Sequence, residues 1–396
     1  MAADFDFIGV GKGMMGAAAA RHLTVSGARV ALIGPDEPKD WSAHDGVFAS
    51  HYDNGRITRT IDGDRDWARL AQRSIARYRD IEAESGIPFF HEVGCLISGP
   101  VPAGHGGYLD GVAAVVDDLG LDVPLLTASE LSARFPHFSV PGHAAGFLQA
   151  SGAGHVNPRA FVAAQTACVE KAGGTILSQE AVSTAVDGDG VTVVLRDGSR
   201  VSAGRVLVAA GGFSGADGLL PRRPDLVVKG RTVIFAEVGE ADLPAYAGMP
   251  CWIDESGDPK DHFYMLPPIR YPDGRWYIKI GGDPTDIVLN SDADIRAWFK
   301  TDGDPGAIAH LRRVLAAAMP GLTPRSWVST PCVTTYTAHG YPYASFIEGD
   351  RIALLAGGNG AAAKSSDEIG RLGARLLLDG AIGDEGYGTD FALRLL

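Results

Sequence analysis

The feature that most constrains the fold lies near the start of the chain, where a short apolar run leads into a cluster of glycines. The run is residues 7–10, Phe-Ile-Gly-Val, and the alanine-rich residues 17–23 that follow the cluster favour a helix. The spacing G-x-G-x-x-G is formed by Gly11, Gly13 and Gly16. A second apolar run occupies residues 28–33. Strand, glycine turn, helix and strand in this order predict a dinucleotide-binding unit.

Each position of this fingerprint has its own physical role. Gly11 permits the tight turn, Gly13 lets the backbone approach a pyrophosphate, and Gly16 lets the helix lie close to the strand. The amides of Met14 and Met15 would face phosphates at the positive end of the helix dipole. We therefore predict that these five residues bind the cofactor.

One part of the fingerprint is missing. The acidic residue that binds the adenosine ribose belongs near the end of the second strand, where this chain has Gly34. Asp36 and Glu37 lie just beyond it. Either one of these acids reaches the ribose or backbone groups bind it alone, and Asp36 is counted among the candidate cofactor-binding residues.

Composition excludes several classes of function. A chain of 396 residues with 45% hydrophobic content can bury a large core and is expected to form two domains. The net charge of -13 argues against nucleic-acid binding. No apolar run reaches the roughly 18 residues of a membrane helix, and no signal-peptide pattern is present. The four scattered cysteines form no C-x-x-C pair, so we expect no metal site and a reducing, cytoplasmic setting.

The middle of the chain contains a second strand-to-glycine turn. Residues 182–208 alternate in polarity and turn at two Asp-Gly pairs, as antiparallel strands do. The segment ends in the apolar run 206–210 followed by Gly211 and Gly212. In flavoproteins with a two-part dinucleotide fold such a strand returns to the first sheet, although any buried strand can stop at glycine. Val182 is a further candidate cofactor-binding residue.

The segment 223–330 has a different character. It contains runs rich in β-branched and aromatic residues, and it is interrupted by a breaker run at 302–306. We predict strands at 227–238, 262–266 and 275–281, and helices at 66–85, 158–173, 292–300, 308–319 and 361–378. These strands and the two helices of this segment are interpreted as a substrate domain that lies over the cofactor.

Taken in order, these segments resemble the D-amino-acid-oxidase superfamily, and within it the monomeric sarcosine oxidase and N-methyltryptophan oxidase branch. The loop 50–59, Ser-His-Tyr-Asp-Asn-Gly-Arg-Ile-Thr-Arg, resembles the family's Ser-His-His-…-Arg-Ile-x-Arg loop at identical spacing. The strand 276–281, the segment 332–337 and the glycine turn 357–364 resemble three further family motifs. The resemblance runs from the first strand to about residue 375.

This resemblance implies an α/β, two-domain fold, with a Rossmann-like FAD-binding domain and a second, antiparallel-sheet substrate domain. The implied FAD-binding domain comprises residues 1–85, 150–222 and 331–396. The implied substrate domain comprises residues 86–149 and 223–330. A monomer or a small homo-oligomer is expected.

The resemblance also implies roles for individual residues. Arg59 would bind the substrate carboxylate with Lys364 as a second contact, and Lys279 would lie above the flavin and promote reaction with oxygen. Cys332 would bond covalently to the flavin ring. Tyr264 could line the substrate pocket or could equally be core packing. The remaining implied cofactor-binding residues are Ser50, His51, Arg56, Gly357, Gly358 and Gly360, and Lys364 is counted among them as well.

Three positions depart from the family pattern. Thr334 stands where the family has a tyrosine, so one wall of the substrate pocket differs. Three alanines separate Gly360 from Lys364, which is more than the family spacing. His339 stands where many relatives have an acidic residue. These departures leave the identity of the substrate open.

The implied reaction is oxidation of a secondary, N-substituted amino acid by FAD, followed by imine hydrolysis and reoxidation by oxygen to hydrogen peroxide. A nicotinamide dehydrogenase could use the same first glycine loop but would not need the later glycine turns. An FAD-dependent amino-acid dehydrogenase, or a D-amino-acid or glycine oxidase, would keep the fold; the dehydrogenase would pass its electrons to an acceptor other than oxygen. Sarcosine, N-methyl amino acids, cyclic imino acids and iminodiacetate-type compounds all remain open as substrates.

Overall fold

The computed structural model describes residues 3–104 and 106–396 of the chain. Within these residues the helices are α1 (Met14–Thr24), α2 (Arg65–Ile75), α3 (Tyr78–Ser85), α4 (Tyr108–Asp118), α5 (Ala128–Arg134), α6 (Pro158–Lys171), α7 (Asp292–Phe299), α8 (Pro305–Ala318) and α9 (Ser366–Asp379).

The strands of the same residues are β1 (Phe5–Val10), β2 (Val30–Ile33), β3 (Arg56–Thr58), β4 (Phe90–His91), β5 (Cys95–Pro100), β6 (Leu125–Thr127), β7 (Ala144–Gln149), β8 (Gly154–Val156), β9 (Thr175–Leu177), β10 (Ala181–Asp187), β11 (Gly190–Leu195), β12 (Arg200–Val208), β13 (Leu226–Val238), β14 (Cys251–Asp254), β15 (Phe263–Arg270), β16 (Trp276–Gly281), β17 (Ile287–Leu289), β18 (Trp327–Thr337), β19 (Tyr343–Glu348) and β20 (Ile352–Ala356). They form three sheets.

The first sheet has eight strands and a parallel centre. Its main path is β10-β11-β12-β1-β2-β9, with β20 paired to β12 and β19 paired to β20. Strands β20, β12, β1, β2 and β9 run parallel. Val206 pairs with Ile8 and Ile352, which confirms that this strand returns to the first sheet. The carboxyl ends of the parallel strands therefore meet at one edge, where ligands bind in open α/β sheets.

The glycine fingerprint lets α1 begin directly against β1. Gly11 has a φ of 115°, and a Cβ at Gly16 would lie 1.9 Å from the carbonyl oxygen of Gly11. Only glycine fits both positions, so the turn is as tight as the spacing predicted.

The second sheet has nine strands and is almost wholly antiparallel. Its path is β17-β13-β16-β15-β14-β5-β7-β6, with β18 against β13 along eleven residue pairs from Leu226 with Thr337 to Ala236 with Trp327. Strand β16 carries Lys279 and strand β18 carries Cys332. The third sheet is small, and in it β3 pairs antiparallel with β8.

A buried charge network fastens the helices to one another. The carboxylate of Asp367, at the start of α9, accepts hydrogen bonds from Arg21 at 2.9 Å, Gln165 at 2.9 Å and Arg77 at 2.5 Å. Burial would raise the pKa of Asp367, but His22 and these arginines hold it well below its usual value. The network therefore joins α1, α6 and α9 to the residue that precedes α3.

Several boundaries differ from the sequence-based expectation. The helix predicted at 66–85 is in fact two helices, α2 and α3, which are separated by a break at residues 76–77. Helix α8 begins at Pro305 rather than 308, because the Asp304 side chain caps it by accepting a hydrogen bond from the amide of Ala307 at 2.7 Å. The turn before α9 is a 3-10 helix, Ala362–Ser365. Strand β18 crosses residue 331, and the predicted domain limits remain predictions.

Within the part of the chain that the structure describes, no helix has both the length and the apolar content needed to cross a membrane.

The close contact of α1 with α9 generates a stability prediction. A Cβ at Gly370 would lie 2.6 Å from the Cβ of Ala18 and 2.8 Å from the carbonyl oxygen of Met15. Gly370→Ala should therefore destabilise the flavin-bound protein by about 1–3 kcal/mol in urea unfolding, through overpacking, although alanine is ordinarily the better helix former. Gly321→Ala is the control, since nothing lies within 4 Å of its Cβ. Equal unfolding free energies for the two variants would contradict the packing argument.

Candidate functional site

A cavity of about 370 Å³ lies at the carboxyl edge of the first sheet, between the glycine loop, the loop 47–52, and strand β18. The sequence-predicted residues that line it are Gly11, Gly13, Met14, Met15, Ser50, His51, Arg56, Val182, Cys332, Gly358 and Gly360. The predicted residues outside its wall are Gly16, Asp36, Gly357, Lys279, Arg59, Lys364 and Tyr264. The cavity thus brings together residues from the beginning, the middle and the end of the chain.

At the glycine-loop end, the wall is mostly main chain. Gly13 stands just before the first turn of α1, whose backbone amides have no partner within the helix. Met14 and Met15, in that turn, line the cavity. The positive end of the helix dipole is therefore available to an anionic group such as a pyrophosphate.

Neither acid considered for the ribose forms the cavity wall. Asp36 contacts Lys12, whose ammonium also donates to Ser178 Oγ at 3.2 Å. Glu37 is held by Arg159 through two hydrogen bonds of 2.6 and 2.7 Å. Gly34 and Pro35 line the cavity at this end. Asp36 as a ribose ligand therefore stays a prediction.

His51 provides an observation that points to a bound group. Its side chain lines the cavity, and its Nδ1 is buried with no hydrogen-bond partner in the described part of the chain. Burial, with the nearby charges of Arg159, Lys12 and Arg56, lowers the pKa of His51 to about 3. The imidazole is therefore neutral at physiological pH, and its unpaired nitrogen suits a polar atom of a cofactor.

The loop 50–56 is attached to β18 in the wall of the cavity. Ser50 Oγ donates to the carbonyl of Val333 at 2.9 Å. Arg56 donates to the carbonyl of Ser50 at 3.0 Å and lies 3.3 Å from the sulfur of Cys332. This arrangement places the thiol of Cys332 in the cavity wall beside a guanidinium.

Lys279 has a carboxylate partner that the sequence did not reveal. Its side chain is 0% exposed, contacts the carboxylate of Asp53 and donates to the carbonyl of Gly55 at 2.8 Å. Asp53 also contacts Arg56 and accepts from the hydroxyl of Tyr271 at 3.0 Å. Burial and then the charge of Arg56 lower the pKa of Lys279, whereas an adjacent carboxylate acts in the opposite direction.

Arg59 and Lys364 lie close together, as the resemblance implied, and both contact a second aspartate, Asp62. Asp62 Oδ2 lies 3.1 Å from Arg59 NH2 and 3.0 Å from Lys364 Nζ. Burial lowers the pKa of Lys364 to about 8, with Asp62 opposing the shift and Arg59 adding to it. The three alanines between Gly360 and Lys364 therefore do not prevent Lys364 and Arg59 from contacting the same carboxylate.

Tyr264 lies next to Lys279. The lysine nitrogen is 5.8 Å from the centre of the tyrosine ring, and a Cβ at Gly281 would lie 2.4 Å from the tyrosine hydroxyl. Glycine at position 281 therefore makes room for the Tyr264 ring. Burial raises the pKa of this tyrosine, which keeps its hydroxyl protonated.

The last glycine turn closes the cavity below α9. Gly357 has a φ of 90°, and a Cβ there would lie 2.1 Å from Thr337 Cγ2. Thr335 Oγ1 accepts a hydrogen bond from the amide of Gly358 at 3.3 Å, which joins the turn to β18. Ser366, the first residue of α9, also lines the cavity.

The other two departures from the family pattern have separate environments. Thr334 lines the cavity, and its hydroxyl accepts a hydrogen bond from Arg231 at 3.2 Å. His339 instead hydrogen-bonds the carbonyl of Ala392 at 2.9 Å and the amide of Tyr341 at 3.1 Å. Of these two residues, only Thr334 contributes to the cavity wall.

Comparison with known families decides the identity of this cavity. The family model described as FAD dependent oxidoreductase (DAO) matches residues 6–376. The chain belongs to the DAO family of FAD dependent oxidoreductases. FAD is therefore its cofactor, and the unpaired His51 nitrogen and the glycine cradle fit that group.

Individual relatives agree with the family assignment. Monomeric sarcosine oxidase of Arthrobacter sp. (strain TE1826) is 25% identical over 389 residues, covering 95% of this chain and 93% of that protein. N-methyl-L-tryptophan oxidase of Citrobacter koseri is 26% identical over 222 residues, 56% of each protein. The structure of NikD, an amino acid oxidase of nikkomycin biosynthesis, has a TM-score of 0.76 at 21% identity, over 99% of this chain and 98% of NikD.

These findings confirm the fold class, the family and the cofactor that the sequence predicted. The protein is therefore an FAD-dependent oxidoreductase. The roles of the individual site residues remain predictions, as does covalent attachment through Cys332.

The position of Cys332 in the cavity wall generates the second prediction. Acid precipitation of the purified yellow protein should give a yellow pellet, because a thioether to the flavin survives unfolding. Cys332→Ser should give a colourless pellet under a yellow supernatant, with binding of FAD retained. A colourless pellet from the unaltered protein would show that the flavin is not covalently attached.

Proposed function

We propose that this protein is an FAD-dependent oxidase of N-substituted amino acids that uses oxygen as its electron acceptor. Bound FAD supplies the redox chemistry, taking a hydride from the carbon next to the substrate nitrogen and passing two electrons to oxygen, which becomes hydrogen peroxide. The imine product then hydrolyses to an amine and a carbonyl compound. The observation that carries the proposal is the group of buried cations, Lys279, Arg59 and Lys364, held by the loop 53–62.

Arg59 and Lys364 are the proposed binding site for the substrate carboxylate. Arginine presents a planar fork that matches a carboxylate, and lysine adds a point charge. Both side chains are buried, where electrostatic attraction is stronger than in water. The two oxidase relatives are named for sarcosine and N-methyl-L-tryptophan, and both compounds are N-methylated amino acids with such a carboxylate.

The same cations assist the substrate in a second way. A secondary amine releases hydride only after it has lost its proton, and nearby positive charges disfavour the ammonium form. Arg59 and Lys364 therefore lower the pKa of a bound substrate amine. No side chain needs to act as a strong base in this proposal.

Lys279 is the proposed site of oxygen activation. Transfer of one electron to oxygen produces superoxide, and a fixed positive charge in a site without water stabilises that product. Lys279 is fully buried on β16 and is held in place by Asp53 and the carbonyl of Gly55. A lysine on an edge strand that reaches solvent would not be buried in this way.

A second candidate function follows from the contact of Lys279 with Asp53. The carboxylate offsets part of the positive charge available to superoxide, which would favour a dehydrogenase that passes electrons to another acceptor. The two functions are separated by supplying the flavin-bound protein with N-methyl amino acids, cyclic imino acids, D-amino acids and glycine. An oxidase consumes oxygen and releases peroxide, whereas a dehydrogenase is reduced but needs an artificial acceptor for turnover. Failure of every compound to bleach the flavin would contradict both.

The third prediction concerns Lys279 directly. Lys279→Met should leave the rate of flavin reduction by substrate largely unchanged, because it removes no proposed substrate contact. Reoxidation by oxygen should slow by about two orders of magnitude or more, the loss typical of removing one preorganised electrostatic contact. Rapid mixing of each half-reaction measures the two rates. Lys260→Met, which alters an exposed lysine, is the control, and fast reoxidation in Lys279→Met would remove this lysine from the oxygen site.

A further inference from the structure

We infer that Asp62 sets the charge of the substrates that the site accepts, restricting them to N-substituted amino acids with a single carboxylate. Asp62 is an internal carboxylate that shares Arg59 and Lys364 with the substrate. This inference rests on the proposed function, because it concerns the same carboxylate-binding pair.

Asp62 contacts both proposed substrate-binding cations. Asp62 is buried, and its Oδ2 lies 3.1 Å from Arg59 and 3.0 Å from Lys364. Its Oδ1 accepts a hydrogen bond from the amide of Asp64 at 3.2 Å. Both oxygens are therefore engaged, and the carboxylate lies between the two cations proposed to bind a substrate carboxylate.

One hydrogen-bond donor of Arg59 stays unpaired beside Asp62 in the described part of the chain. Arg59 also donates to the hydroxyl of Tyr108 at 3.0 Å, but its Nε is buried with no partner in the described residues. A buried donor without a partner costs free energy that a ligand oxygen would recover. Lys364 also donates to the carbonyl of Trp67 at 3.2 Å. The pair therefore retains hydrogen-bonding capacity while Asp62 stays in place.

The net charge of Arg59, Lys364 and Asp62 matches one substrate carboxylate. Two cations and one carboxylate leave a single positive charge, which one substrate carboxylate neutralises. Asp64 lies close by, and its negative charge also acts on Lys364. Its oxygens accept hydrogen bonds from the amide of Trp67 at 2.9 Å and from the hydroxyl of Tyr341 at 2.6 Å, so Asp64 adds negative charge and offers no counterion to a carboxylate. A second substrate carboxylate would be buried without a counterion, and that is strongly unfavourable. Iminodiacetate-type compounds are therefore disfavoured.

The remaining titratable groups around the pair add no positive charge. Burial raises the pKa of Tyr108, and it raises the pKa of the Cys95 thiol to about 12, so both are neutral at physiological pH. Burial also raises the pKa of Glu255, a carboxyl near Arg59 that can add only negative charge. Lys364 is the group whose charge changes at physiological pH, because its pKa lies at about 8.

Asp62→Asn tests the inference by removing the charge while keeping the shape. Acetate and malonate serve as unreactive mono- and dicarboxylate probes, and their dissociation constants are read from the perturbed absorbance of the bound flavin. The probes are compared at pH 6.5, below the pKa of about 8 that Lys364 has in the wild type, and a bound dicarboxylate itself favours the charged lysine in the variant. The variant should then favour malonate over acetate about ten-fold more than the wild type does, since like charges a few Å apart repel at least that strongly. Asp189→Asn, which removes the charge of an exposed carboxylate in the turn between β10 and β11, should leave the ratio unchanged.

A second readout needs no ligand. Asp62 raises the pKa of Lys364, so Asp62→Asn should lower that pKa below about 8. A lysine with a depressed folded pKa binds fewer protons folded than unfolded, so stability rises with pH up to the unfolded value. The free energy of unfolding should rise more steeply with pH in Asp62→Asn than in wild type, and Asp62→Asn/Lys364→Met should lose the added slope.

The inference is overturned if the malonate-to-acetate ratio is unchanged in Asp62→Asn, or if neither probe binds to either protein. An unchanged pH slope of unfolding would equally overturn it. These readouts do not depend on turnover. A protein that shows both shifts but consumes no oxygen with any amino acid would refute the proposed function and leave the role of Asp62 intact.

Discussion

Buried positive charge is the constraint on which the rest of the site depends. A cation removed from water is stable only beside a counterion and hydrogen-bond acceptors. On the loop that follows the first dinucleotide-binding unit, Asp53 holds Lys279 and Arg56, and Asp62 holds Arg59 and Lys364. Lys279 belongs to the second sheet and Lys364 to the turn before α9, so the two aspartates join both halves of the molecule.

The two sheets contribute to the site by different physical means. The first sheet supplies main chain, through glycine turns and the positive end of helix α1, and main-chain groups suit a cofactor with phosphates. The second sheet supplies side chains, chiefly Lys279 on β16 and Cys332 on β18. Arg56 connects the two, since it contacts both Asp53 and the sulfur of Cys332. The cofactor cavity and the proposed substrate region therefore share one wall.

The sequence was sufficient for the parts of the site that depend on local patterns. The spacing of Gly11, Gly13 and Gly16 predicted a turn that only glycine can form, and the run ending at Val208 returned to the first sheet as expected. Helix boundaries were harder to predict. Asp304 caps α8, so this helix begins at Pro305, inside the run 302–306 whose glycines and proline predicted a break.

The counterions could not be found in this way. Asp53 and Lys279 are separated by 226 residues, and nothing in the local pattern distinguishes an acid that will be buried from one that will be solvated. The only indication in the sequence was Asp53 itself, an acid within the loop 50–59 at a position that the family motif leaves unspecified. Asp62 follows that loop and carried no signal at all, although it joins two residues that the resemblance had already singled out.

The central claim is that buried aspartates set the charge of the cations around the flavin, and one measurement tests it most directly. The rate at which oxygen reoxidises the reduced flavin is measured from about pH 6 to about pH 10, a range that reaches the usual pKa of lysine, in wild type and in Asp53→Asn. Arg56 stays charged throughout, so any difference in pH dependence reports on Lys279. We predict that reoxidation slows with rising pH at a lower pH in Asp53→Asn than in wild type, and recovers on acidification. Identical pH profiles in the two proteins would contradict the account.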